Sequence, residues 1–311
     1  MEEEIRNPVE EVKKSRTEKL EIFYNKNYKK LMIIPLLVLA ISITILGISY
    51  FRTGQFIEKD VSLTGGISAT IETEKGIDID DLRSEISSKF PDSDVDVRRL
   101  TDFTTGKQIG FTVEVSKITN QDLKPILEEY LNTELDQGYS AQETGAGLGA
   151  SFFRELIYAI LIAFILMAIT VFIIFRKPIP CIAINFSVIL DITATLAIIS
   201  LLGIKLSSAG IAAFLMIIGY SIDTDILLAT YALKRQGPSF EKTLKAFKTG
   251  ITMTLATIAA LSVALLITNS QVLEQIFTII LIALFVDIIS TYLMNAPLLT
   301  WYVKKNEPKT I

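Results

Sequence analysis

A chain with six separate apolar stretches, each about the twenty residues a helix needs to cross the hydrocarbon of a bilayer, has few folds open to it. They are residues 31–51, 156–175, 181–202, 208–229, 250–268 and 276–301. Inside lipid no water meets a backbone N–H or C=O, so each stretch must satisfy its own by folding as a helix. The sequence therefore predicts a polytopic α-helical membrane protein with six transmembrane helices. Half of its residues are apolar and its mean hydropathy is +0.46, values in keeping with several spans.

The first stretch follows a leader that mixes Glu and Lys and shows no small-residue cleavage pattern, so it reads as a retained anchor rather than a signal peptide. Lys/Arg bias then sets the orientation. Arg176, Lys177 and residues 234–248 are basic, whereas the connections 203–207 and 269–274 hold only Lys205 between them. Both termini are expected in the cytoplasm of a multi-pass cell-membrane protein, with five regions. These are a cytoplasmic segment 1–30, transmembrane helix 1 at 31–51, an extracytoplasmic domain 52–153, a five-helix bundle 154–302 and a cytoplasmic tail 303–311. The leader is read either as a partly helical segment lying on the membrane lipid through Lys26, Lys29 and Lys30, or as a plain charged stretch.

The external block has a legible order: a β-rich run at 61–72, a helix at 79–90, a strand at 94–100, a turn at 104–106, a strand at 109–116, a helix at 120–131 and a strand at 139–144. That βαββαβ order predicts an α+β ferredoxin-like domain inserted between helices 1 and 2. Its scattered acids, Asp78, Asp80 and Asp94 among them, read as solvated surface charge. The double glycine Gly65-Gly66 signals a bulge or a close backbone approach.

Other chemistries are excluded by composition. A single cysteine, Cys181, and the absence of histidine leave no internal disulfide and no Cys/His metal set, so no metal or cofactor is expected. Cys181 reads as a small packing residue. A net charge of −4 with dispersed bases argues against nucleic acid as a partner.

Against that apolar background stand Asp191, Asp223, Asp225 and Asp287, each inside a spanning stretch. A charged side chain at a bilayer centre costs about 2.5–3.5 kcal/mol on insertion scales, so several of them point to transport or coupling. Asp191 and Asp287 fall near the middle of their spans. Asp223 and Asp225 lie about 200° apart around one helix and cannot share a face. Gly219, one turn before Asp223, suggests close helix approach there and so places Asp223 in the bundle interior as the principal protonation site; Asp225 needs a separate account. The structural alternative is that the acids are polar glue, bonded to Asn185, Thr193, Thr252, Thr254, Ser290 or Asn295 on facing helices. Lys248 is read either as an interfacial anchor or as a cation reaching inward to an aspartate. Thr249, Thr252, Thr254 and Thr257 line either a polar path or a packing face.

At Ala209-Gly210-Ile211-Ala212-Ala213-Phe214-Leu215-Met216-Ile217-Ile218-Gly219-Tyr220-Ser221-Ile222-Asp223 the chain resembles the fourth-span motif of the SecF family of protein-export membrane proteins, within the SecD/SecF group and the wider RND superfamily. Leu63-Thr64-Gly65-Gly66 resembles the group's Leu-Thr-Gly-Gly signature, and Gly145-Ala146-Gly147-Leu148-Gly149 stands where the family has a Gly-Pro motif. The resemblance covers nearly the whole chain. It implies a non-enzymatic accessory subunit of the Sec translocon that works with SecD and the translocon channel on translocating preproteins, using the proton-motive force. It also implies that Gly65 and Gly66 help join the external domain to the bundle. Departures from the bacterial pattern look archaeal. Asp223-Thr224-Asp225 replaces Asn-Asp-Thr, which puts Asp223 at the acid position of the SecD fourth span; Lys248 stands for an arginine, and Asp287 for a glycine. Two other functional classes remain at this point: half of a small-molecule RND-type transporter, and an intramembrane aspartyl protease using Asp191 with Asp223. A purely structural translocon scaffold remains too, if the acids are glue.

Overall fold

The structure is a computed structural model that describes residues 22, 24, 26–73, 76–101, 107–135, 138–235, 238–268 and 270–306. The turn expected at 104–106 and most of the leader lie outside the described residues. Among the described residues six helices are long and apolar enough to cross a membrane. The first, α1 (Ile33–Thr53), ends at Gly54, whose φ of 74° places it in the left-handed region.

The chain then makes one helical turn, α2 (Val61–Thr64), and the order β1 (Gly66–Glu72), α3 (Ile79–Lys89), β2 (Val95–Thr101), β3 (Gln108–Ser116), α4 (Asn120–Leu131) and β4 (Tyr139–Thr144). The β-rich run expected from residue 61 thus starts at Gly66, because Asp60 caps α2 by accepting the Ser62 N–H. The strands form one sheet in the order β2-β3-β1-β4 with every neighbouring pair antiparallel. Alternation along β1 sends Ile67, Ala69 and Ile71 to one face, where they meet Phe111, Val113 and Val115 of β3 and Leu82, Ile86, Leu123 and Leu127 of the two helices. Asp78 caps α3 by accepting the Asp80 and Asp81 N–H groups at 3.0 and 3.3 Å, and a Thr119/Asp122 capping box opens α4. The other face of the sheet has no helix layer of its own and looks toward the bundle.

The remaining spans are α5 (Ala146–Phe175), α6 (Pro178–Leu201), α7 (Ser208–Lys234), α8 (Ser239–Ile267) and a last span in three parts. Those parts are α9 (Gln271–Ser290), a π-helical turn Thr291–Asn295 and α10 (Ala296–Asn306). The helix α8 begins eleven residues before the apolar stretch at 250, so the basic segment preceding that stretch is partly its continuation. At the centre α6, α7 and α9 pack on one another, with α1 against α6 and α8 against α7 and α9.

Backbone bonds fasten the sheet domain to the bundle. Asp60 donates to the Leu206 carbonyl at 3.0 Å, Leu206 to that of Glu58 at 2.7 Å, and the Ser208 N–H to the Ser62 hydroxyl at 3.0 Å. Gly65 and Gly66 are buried at this junction with φ of 85° and 141°. A Cβ on Gly66 would run into the Val115 carbonyl, and one on Gly149 would lie 2.9 Å from the Gly65 nitrogen. The close approach expected of the glycine pair is therefore present, with Gly149 of α5 as its second side. Replacing Phe111, fully buried in the sheet core, with Ala is expected to destabilise the domain by about 3–5 kcal/mol. Limited proteolysis of the full chain, with cleavage confined to the sheet domain, checks this.

Candidate functional site: a buried carboxyl cluster

The three central helices each bring one carboxyl to the same interior region. Asp191 of α6 and Asp225 of α7 have no exposed surface, and Asp287 of α9 is 3% exposed. Each is met by hydroxyl or amide donors on a neighbouring helix. Ser290 donates to Asp191 Oδ1 at 2.5 Å and Ser221 to Asp191 Oδ2 at 2.6 Å. Thr224 donates to Asp287 Oδ2 at 3.2 Å. The Asn295 amide donates to Asp225 Oδ1 at 2.7 Å, and the Thr291 hydroxyl lies 3.0 Å from that oxygen and 3.3 Å from Asp287 Oδ1. Asp225 Oδ2 and the Ser187 hydroxyl on α6 are both buried without a hydrogen bond. None of the described ion pairs reaches any of the three acids.

Local geometry explains why one part of the last span supplies so many donors. In an α-helix a step of four residues advances about 40° around the axis, so Asp287, Thr291 and Asn295 would drift along the helix face. At the π turn the Ala296 N–H returns to the Thr291 carbonyl five residues back. That wider turn takes back part of the drift and brings Thr291 and Asn295 to the same Asp225 oxygen. Such single-turn π segments inside α-helices are frequent at functional sites. Alongside, a Cβ on Gly250 would strike the Tyr292 hydroxyl, so the glycine of α8 seats that ring, which also packs edge-on against Phe247 at 4.7 Å.

The structure reverses one assignment made from the sequence. Asp223 is exposed on the outside of the bundle, together with Gly219 and Tyr220, while Ser221 and Asp225 point inward. No neighbouring atom lies within 4 Å of a Cβ built on Gly219, so that glycine marks no close helix contact within this chain. The pairing of faces was legible, Gly219 with Asp223 and Ser221 with Asp225, but the inner face was the one with hydroxyls. Lys248 is exposed and answers none of the three interior acids. Of the proposed glue residues, Ser290 and Asn295 bond the acids. Asn185, Thr193, Thr252 and Thr254 instead bond carbonyls four residues back in their own helices. Asp191 and Asp223 face apart and form no protease-like dyad. Ser187, Thr224, Thr291 and Tyr292 were not singled out from the sequence, although Ser187 and Asp191, and Asp287 and Thr291, stand at the one-turn spacing that signals a shared face.

With this geometry in place the comparisons with known proteins become decisive. The family model described as "Protein export membrane protein SecD/SecF, C-terminal" matches residues 126–305. A protein-export membrane protein SecF of Methanocaldococcus jannaschii is 38% identical over 297 residues, covering 92% of this chain and 99% of its own length. This chain belongs to the SecF family. A SecF of Pyrococcus furiosus is 33% identical over 295 residues, 94% of this chain and 97% of its own. The crystal structure of SecDF, a translocon-associated membrane protein from Thermus thermophilus, superposes with a TM-score of 0.71 at 20% identity. It shares the fold over 89% of this chain, which spans 38% of that longer SecDF chain. The SecF membership rests on the matching sequences, and the carboxyl cluster is where the acids of this SecF chain converge.

The Asn295→Leu substitution leaves Asp225 Oδ1 short of its amide donor and is expected to lower the stability of the detergent-solubilised protein by about 1–3 kcal/mol. Asp223→Asn, on the outer face, is expected to leave the melting temperature unchanged. Thermal unfolding of the two variants side by side measures the difference.

Proposed function

We propose that this chain is the SecF-type half of an export unit that works with a SecD-type partner at the Sec translocon channel, coupling the proton gradient to late steps in the movement of preproteins across the cell membrane. The observation that carries the reading is the convergence of Asp191, Asp225 and Asp287 in the bundle with no cation among their described partners. Like charges so close in low dielectric are strongly unfavourable, and a proton resident among them relieves the repulsion. It also supplies a donor the geometry lacks, since the single Thr291 hydrogen serves only one of the two carboxylate oxygens it approaches. Gain or loss of that proton changes which hydroxyls are bonded and so biases the packing of α6, α7 and α9. In this account Asp225 takes the role first assigned to Asp223.

Asp223 then has a different use. With Met216, Gly219 and Tyr220 it forms an exposed stripe on the membrane-spanning helix α7. A carboxyl left to lipid at that depth is costly, and a glycine in a lipid-facing stripe lets another helix come near. We read the stripe as the contact for the SecD-type half, which fits the greater length of the SecDF chain. The βαββαβ order and the strand order β2-β3-β1-β4 support reading the sheet domain as ferredoxin-like. The Lys/Arg bias supports reading that domain as external and both termini as cytoplasmic.

In inverted membrane vesicles carrying the chain with its SecD-type partner, Asp225→Asn is expected to reduce export to the level seen without a proton gradient. Gradient-stimulated export equal to the parent protein would overturn the coupling role. A cysteine at Gly219 is expected to cross-link to the partner half, while one at Leu161, exposed on α5, is expected not to.

A further inference from the structure

Between the uncovered face of the sheet and the tops of α7 and α9 lies a cleft of about 460 Å³. The sheet contributes Ser68, Arg98, Thr112 and Glu114 to its walls, and the bundle contributes Ser207 and Gln275. Beside it run the only described ion pairs that join sheet domain and bundle. Lys205, in the connection between α6 and α7, lies 3.3 Å from Asp94 and 3.6 Å from Asp96 of β2. Arg98 and Arg83 bind the same Asp96 at 2.7 and 3.0 Å. Lys205 is held from below as well, since its carbonyl accepts from Gln275 at 2.6 Å and Gln275 in turn accepts from Ser207. Although burial pushes Asp96 up, Arg98, Lys205 and Arg83 together hold it below its usual carboxylate range, so it stays ionised as the centre of this junction.

Glu114 of β3 is the odd member. Its side chain is 12% exposed, its Oε2 is buried without a hydrogen bond, and Arg98 stands 4.0 Å away because that guanidinium is committed to Asp96. The β1 residue opposite it in register is Ser68. The charged groups facing it are Arg98 and Asp96 of β2, Asp60 ahead of α2 and Lys205, with Arg99 of β2 and Glu274 of α9 lining the same cleft. None of the acids bound in the membrane-spanning cluster takes part.

We propose that this cleft is an acid-tightened latch: while Glu114 is protonated the sheet domain stays seated on the bundle, and when Glu114 ionises water enters the cleft and the sheet face tilts off the top of α9 about its attachment at Leu206 and Ser208. Burial raises the Glu114 pKa from 4.5 to about 6, with Asp60 adding to the rise and Arg98 and Lys205 opposing it. The seated form therefore holds the proton more tightly than a tilted form whose Glu114 is in water. Seating is favoured in full below the solvated value and is lost as pH rises through about 6. The difference corresponds to a change of up to about thirtyfold in the ratio of seated to tilted molecules. The latch stands apart from the carboxyl cluster; only its link to the acid side of the membrane rests on the orientation proposed above.

The test uses the full chain in nanodiscs with a Cys181→Ala background and paired labels at Ser88→Cys on α3 and Leu202→Cys after α6, read by single-molecule energy transfer. Between about pH 4.5 and about pH 7.5 the distance is expected to lengthen with a midpoint near the Glu114 value. Glu114→Gln is expected to stay at the short distance throughout. Lys205→Ala is expected to lengthen it at every pH while keeping the titration. A distance that does not change with pH, or one that still titrates in Glu114→Gln, would overturn the latch. Asp225→Asn is expected to titrate like the parent, so loss of proton-coupled export and loss of the latch are told apart.

Discussion

The constraint on which the rest depends is that a carboxyl inside a membrane bundle must be met by donors, because no water is there to do it. Three helices satisfy that condition together: α6 and α7 bring Asp191 and Asp225, and the last span brings Asp287 with Ser290, Thr291 and Asn295. Exchanging hydrogen bonds between helices ties α6, α7 and α9 into a unit more specific than apolar packing makes, since Leu and lipid tails are interchangeable to one another. The π turn belongs to this arrangement. It gives up regular α-helical bonding for one turn so that Thr291 and Asn295 reach one oxygen of Asp225. The remaining spans, α1, α5 and α8, pack around that centre and expose wide apolar faces.

The sheet domain is attached to the same helices by a different kind of bond. Main-chain hydrogen bonds between residues 58–60 and Leu206, and the glycine contact of Gly65 with Gly149, hold its base close to α5 and to the start of α7. Lys205, next to Leu206, adds ion pairs to Asp94 and Asp96 at the same end of the sheet. A movement of α7 or α9 at the carboxyl cluster is thus connected by short, directional contacts to the domain above.

Much of this was legible in the residues. The six apolar stretches correspond to the six described helices long and apolar enough to cross a membrane, and the order of strands and helices expected for residues 52–153 matches the sheet that forms, apart from the first turn. That turn was misread because Val61, Leu63 and the glycines look β-rich, whereas Asp60 caps a helical turn before the sheet begins. Three of the four aspartates singled out from the sequence converge inside the bundle, but the outward rotation of Asp223 was not legible from Gly219. A glycine permits close approach by any neighbour, including one in another chain, and so says little about which face is internal. Hydroxyl spacing is the better sign: Ser221, Thr224 and Asp225 share a face on α7, as do Asp287, Thr291 and Asn295 on the last span. The π turn and the seating of Tyr292 against Gly250 depend on neighbouring helices and leave no local signature in the chain.

The central claim is that the interior acids, and not Asp223, carry the proton. Infrared difference spectroscopy of the membrane-embedded protein during a pH titration tests it most directly, by following the carbonyl stretch of protonated carboxyl groups. The account predicts that this band is altered or lost in Asp225→Asn and Asp191→Asn and is retained in Asp223→Asn. A band that survives both interior substitutions and disappears with Asp223→Asn would contradict it.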